Sequence, residues 1–202
     1  MRWSRRTSLP DRMTSTDLAA RRTLPDGMAH LLPRYPRVGW DAHERCGPMP
    51  RRWLAMHDDL RGSGGELLRL ATAFRDNPEE ASVFYWEFRP LAIHHYQHLE
   101  CHHQIEDTVL FPRLRRLDTQ MQGGFDLLES DHEVIHESLV RWGAGIDRLL
   151  KSLTLGGDAM RFALDAHLTD ADHLGGLIER HLDDEEDVVI PSLLHHGEGG
   201  LI

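Results

Sequence analysis

The sequence predicts an all-α protein, an up-down-up-down four-helix bundle with an irregular N-terminal extension. Three observations lead there. Four long segments place apolar residues three and four apart, the period of a helix that buries one face. The breaks between them are short and rich in helix-stopping residues: Asn77-Pro78, Gln122-Gly123-Gly124 and Gly156-Gly157. No segment alternates apolar and polar residues as a half-buried strand does. With 202 residues, 40% of them hydrophobic, the chain can bury one core.

The extension, residues 1–49, holds Pro10, Pro25, Pro33, Pro36 and Pro48, and no helical period survives more than two turns. Residues 1–50 carry nine Arg and five acids, a net +4, against −10 for the whole chain, so the remainder is near −14. The simplest reading is a partly disordered, solvated arm. The other is that its arginines, Arg2, Arg5, Arg6, Arg12, Arg21 and Arg22, touch an acidic surface. Met13 is a possible alternative start. The basic N-terminus lacks the apolar run of a secretory signal, and no segment is apolar enough to span a membrane. Two cysteines, Cys46 and Cys101, build no disulfide framework, so a cytoplasmic location is expected. So acidic a body argues against nucleic acid as the main partner.

The bundle is expected over residues 50–192. A first helix begins near Pro50, with Trp53, Leu54, His57 and Leu60 on one stripe; Gly62-Ser63-Gly64-Gly65 should weaken or kink it. The second covers about 79–111 and is closed by Pro112, with a possible break at Pro90. Its inward stripe runs through His95, Leu99, His102, Glu106 and Val109. A rival stripe puts His103 and Asp107 inward, and the first is preferred. The third helix, about 126–153, sets Phe125, Leu128, His132, Ile135, His136 and Leu139 on one face. Asp158 is a good N-cap for the fourth, about 159–190, where Leu174, Leu177, Ile178, His181, Glu185 and Val188 are in register. A flexible tail, residues 193–202, follows.

One pattern occurs twice. His102 and Glu106 are four apart with Pro112 six further on; His181, Glu185 and Pro191 repeat both intervals. Four residues advance a helix by one turn, so each pair shares a face. The inward polar residues are then His57, His102, Glu106, His132, His136, His181 and Glu185. Buried imidazoles and carboxylates without partners cost several kcal/mol. Two metal ions remove the difficulty: five neutral imidazoles and two carboxylates can ligate both, the carboxylates bridging. Nitrogen and oxygen donors without thiolate suit iron, manganese or zinc.

These residues resemble the hemerythrin-like (HHE cation-binding) family: a lone His on the first helix, His-x3-Glu on the second, His-x3-His on the third, and His followed by a carboxylate on the fourth. The resemblance covers about residues 50–192. It implies a non-haem di-iron centre, with manganese or zinc as alternatives, that binds O2, peroxide or NO for sensing, carriage or detoxification. It also admits a peroxidase-like or NO-reducing enzyme, iron storage, iron–sulfur repair or a structural metal bundle; a protein partner is compatible with several of these. One departure concerns the fourth helix. Oxygen-carrying members have His-x4-Asp, and the residue five after His181 is Glu186. Glu185 lies about 40° from His181 around the axis and Glu186 about 140°, which favours Glu185.

The remaining polar and aromatic residues have plainer readings. His94, His95, His98 and His103 are expected at the surface or supporting the ligands, with His95 the best supporting candidate. His167 and His173 read as solvated, Cys101 as packed away from the site, and Trp53, Trp86 and Trp142 as core.

Overall fold

Pro48 and Pro50 open the first helix, where a missing N–H costs nothing and a fixed φ is already helical. The computed structural model describes residues 15–201, so Met13 and Arg2 to Arg12 lie outside the described residues. α1 spans Pro48–Asp76 and α2 Ala81–Ile105; a π turn, Glu106–Leu110, passes into α3, Phe111–Leu117. α4 covers Gln122–Ser152 and α5 Gly157–His196. Because α2, the π turn and α3 run on as one rod, four long rods form the bundle. No strand occurs among the described residues, and none of their helices is long and apolar enough to cross a membrane.

Several expected breaks are absent. α1 runs unbroken through Gly62–Gly65, and Gly64 is used for close approach: a Cβ there would lie 3.3 Å from His95 Cε1 on α2. Pro112 does not end its rod. It has no N–H to offer the preceding turn, and the chain absorbs this by widening to the π turn just before it. Pro191 lies inside α5, which continues to His196, where Gly197 (φ 76°) caps it and donates to the Leu193 carbonyl. The first part of the expected tail is therefore helix, with Leu193 and Leu194 buried. Asp158 falls in the first turn of α5, and Gly156 takes the cap position.

Two apolar clusters fill the bundle. One gathers Leu60, Leu67, Phe74, Phe84, Phe88, Leu99, Leu139, Trp142, Leu164 and Leu177. The other gathers Trp53, Leu110, Phe111, Phe125, Leu128, Val188 and Leu193. His57, His102, His103, Glu106, His132, His181 and Glu185 sit between them, a polar layer across an apolar rod.

Residues 15–47 are irregular, with a single 3-10 turn at Arg37–Gly39, yet they are not a solvated arm. Leu18 joins the first cluster, and Leu31, Trp40 and Cys46 join the second. At Gly124 a Cβ would come within 2.5 Å of the Met28 carbonyl, so only glycine lets the segment lie this close to α4. Prolines forbid a helical period here, and irregular spacing of the buried residues leaves no pattern to read. The basic segment also meets acids, with Arg21 contacting Asp131 and Asp184, and Arg37 contacting Glu186 and Asp187.

Other expectations are corrected at single positions. Trp86 is 75% exposed, and Cys101 is exposed rather than packed. His167 is buried against Phe88 and Trp142, with no hydrogen-bond partner on either ring nitrogen. Burial lowers its pKa from 6.5 to about 4, with Asp170 opposing only weakly. Above pH 6.5 the group is neutral folded and unfolded and contributes nothing. As pH falls through 6.5 only the unfolded chain takes the proton, so stability declines, by roughly 3 kcal/mol once pH 4 is reached. His167→Leu should therefore flatten the acid-side loss of stability, read as urea midpoints of the metal-free protein at pH 7 and pH 4.5. Equal pH dependence in variant and wild type would show that His167 is not held neutral.

Candidate metal centre

Adjacent side chains on a helix point about 100° apart. On α2 the line of greatest burial runs through Leu99 and Glu106, and His102 and His103 flank it on either side. His102 thus reaches toward α1 and His103 toward α4, with Glu106 between them. Both are buried, so the two rival readings of this stretch are both realised in part. His57 comes in from α1, His132 from α4, and His181 and Glu185 from successive turns of α5.

These side chains form two groups. His57, His102, Glu106 and Glu185 make one; His103, Glu106, His132 and His181 make the other, and within each a donor atom per residue lies within 4.8 Å of every other. Glu106 belongs to both: its Oε1 is 2.9 Å from His102 Nε2 and its Oε2 3.4 Å from His132 Nε2. Glu185 Oε2 lies 3.4 Å from His57 Nε2, 3.8 Å from His102 Nε2 and 3.6 Å from His181 Nε2.

Of the seven residues expected from sequence, His57, His102, Glu106, His132, His181 and Glu185 are brought together, and His136 is not. The His136 side chain is 60% exposed and faces Glu100. The cause is helical phase. The buried arc of α4 runs through Asp131, Ile135 and Leu139, and His132 already sits at its edge. One further turn advances about 40° in the wrong direction and carries His136 into solvent. His103 supplies the fifth imidazole instead, its ring stacked on His132 with centroids 4.0 Å apart. His103→Ala should thus lower the metal bound per chain while His136→Ala leaves it unchanged, by elemental analysis of the purified variants. The reverse pattern would refute this assignment.

The donor set fits cations. His57 Nε2, His102 Nε2, His103 Nε2, both oxygens of Glu106 and Glu185 Oε2 are all buried without a hydrogen-bond partner. His132 Nδ1 donates to the Asp107 carboxylate at 2.7 Å, which leaves Nε2 as the nitrogen turned into the group. His132 Nε2 lies 3.1 Å from His181 Nε2. Burial lowers His102 to about 3, against Glu185, and lowers His103 and His181 as well. Neutral imidazoles are the form that ligates. Burial and the neighbouring Glu185 push Glu106 well above the usual carboxylate range. Burial pushes Glu185 the same way, but His57 and His102 outweigh it and hold it well below.

A family model described as the hemerythrin HHE cation binding domain matches residues 48–193. The chain belongs to this family. No curated protein and no solved structure matches it.

In this hemerythrin HHE domain the clustered side chains are held from behind by neighbouring residues. Trp53 donates its indole N–H to Glu185 Oε1 at 2.9 Å. Glu186, the rival carboxylate of α5, turns away from the centre: its Oε1 lies 3.1 Å from His57 Nδ1 and accepts from Arg61, and its Oε2 accepts from Arg37. Burial would raise Glu186, but His57 and Arg61 bring it to about 2. Burial would likewise lower His57, yet Glu185 and Glu186 together raise it to about 9. Asp131 Oδ2 is 3.5 Å from His181 Nδ1 and is itself bound by Arg21. Both arginine partners from outside the bundle, Arg21 and Arg37, come from the N-terminal segment. Contact of Arg21 with an acidic surface was one of the two readings of the N-terminal segment, but nothing in the sequence said that the acids would be Asp131 and Asp184.

Proposed function

We propose that the protein holds two iron ions at these groups and binds O2, peroxide or NO there. What carries the reading is the sharing of Glu106 between two four-residue groups: one carboxylate facing both sides suits a pair of cations held close together. His57, His102 and Glu185 would hold one ion; His103, His132 and His181 the other. When bound, iron supplies reversible one-electron chemistry toward small diatomic ligands and peroxide, which zinc does not.

The chain's own residues decide access. A cleft of about 650 Å³ between α2 and α4 has His103 and His132 among its walls and Glu100, Asp107, Glu129, Glu133 and His136 around them. It is wide enough to admit a small ligand, and its acids raise the local concentration of cations. The apolar clusters above and below close the bundle axis to water. Asp107 fixes the His132 ring from within the same cleft, and Trp53 and Glu186 hold Glu185 and His57 on the far side.

The test is metal content with an optical spectrum in air and then under dithionite. Iron near two per chain, with a band in air that dithionite bleaches, is the expected result. Zinc with no redox-active band would overturn it. Rapid turnover of hydrogen peroxide by the iron-loaded chain, lost in His132→Ala, would place the activity with the peroxidase-like enzymes instead of the binders.

A further inference from the structure

Asp59 on α1 and the pair His94 and His98 on α2 form a third group of metal-ligand type, sharing no residue with the buried centre. We propose that it is a solvent-facing site for a single divalent ion of the zinc class.

The spacing supports this first. His94 and His98 are four apart in the middle of a regular helix, so their rings rise on one face with the backbone already rigid. The rings are tilted neighbours, 5.6 Å between centroids. Asp59 Oδ2 lies 3.1 Å from His98 Nδ1 and 3.6 Å from His94 Nε2. Ligands of a tetrahedral ion with bonds of about 2.0–2.1 Å sit roughly 3.3 Å from one another. The two observed separations bracket that edge.

Hydrogen bonding supports it second. His98 Nδ1 is shielded from solvent and has no hydrogen-bond partner, although a carboxylate oxygen stands only 3.1 Å away. The atoms are close without being aligned as donor and acceptor, as two ligands of one ion are. Among the described residues, the ion pairs of Asp59 are with these two histidines alone, so no arginine or lysine competes for its charge.

Two imidazoles and a carboxylate select borderline first-row ions, zinc, nickel and copper above manganese. Asp59 and His94 are each 57% exposed, which leaves coordination positions for water and makes the ion exchangeable. Three ligands in solvent hold an ion less tightly than a buried multi-histidine centre, so this site fills second.

Zinc is titrated calorimetrically into the full chain with its buried centre already filled. The expected result is one further equivalent, absent from the His94→Ala/His98→Ala variant, whose buried metal and far-UV circular dichroism are unchanged. Asp59→Asn should weaken the same event. Uptake of that equivalent by the double variant, or no uptake by the wild type, would overturn the site, as would an unaltered affinity in Asp59→Asn.

Discussion

Arg21→Ala is expected to destabilise the protein by roughly 3 kcal/mol or more, an unusual effect for a residue outside the bundle. The Arg21 side chain is fully buried and binds Asp131 and Asp184, themselves 3% and 0% exposed. Burial alone would lower the Arg21 pKa, and the two aspartates reverse this and raise it. Asp184 keeps Arg180 when Arg21 is lost, so its charge stays compensated. Among the described residues Asp131 then keeps only His181 Nδ1, at 3.5 Å, and no arginine or lysine. Breaking a buried pair from one side costs about 3–5 kcal/mol, far above the 0–1 kcal/mol of an exposed pair. Adding Asp131→Asn to Arg21→Ala should recover much of the loss, because the uncompensated charge goes with it. Urea unfolding of both variants is the measurement. A loss below about 1 kcal/mol would mean that the pair behaves as a surface contact and that residues 15–47 merely rest on the bundle.

Glu106→Leu should have the largest effect on metal. Glu106 is the residue common to both groups, so its loss removes a ligand from each, and the metal content should fall by more than half. Leucine is close in volume, so no cavity is opened. In the metal-free protein the same change is expected to be neutral or stabilising, since a buried carboxyl with no hydrogen-bond partner has been removed. The stability gained on adding metal, which follows from binding to the folded state alone, should then nearly vanish. Thermal unfolding with and without added metal reads both quantities. A variant that keeps its full metal content would refute the sharing of Glu106.

Much of the fold was legible because it is written at short range. A period of 3.6 depends only on neighbours three and four residues away, and α1, α2, α4 and α5 all announce themselves that way. The breaks were read less well. Glycines and prolines carry local costs, but tertiary packing outweighed them at Gly62–Gly65 and at Pro191, and a π turn absorbed Pro112.

The centre divides along the same line. His57, His102, Glu106, His132, His181 and Glu185 could each be found from an apolar stripe or a repeated interval. Glu185 over Glu186 followed from helical phase alone. His136 against His103 did not, because periodicity says which residues share a face and not where the edge of the buried arc falls. That edge is set by how neighbouring helices rotate against one another. A residue one turn beyond His132 was therefore lost to solvent, and His103, beside His102, was gained.

By itself the sequence determined an all-α bundle and a histidine- and glutamate-rich layer within it, since both are carried by spacing along single helices. Only the tertiary structure decided the fifth imidazole, the sharing of Glu106 and the folding of residues 15–47 against the bundle. Those depend on contacts between residues far apart in the chain: Arg21 with Asp131 and Asp184, and Arg37 with Glu186. No local period encodes such a meeting, because its energy comes from a buried charge finding its counterion across the fold.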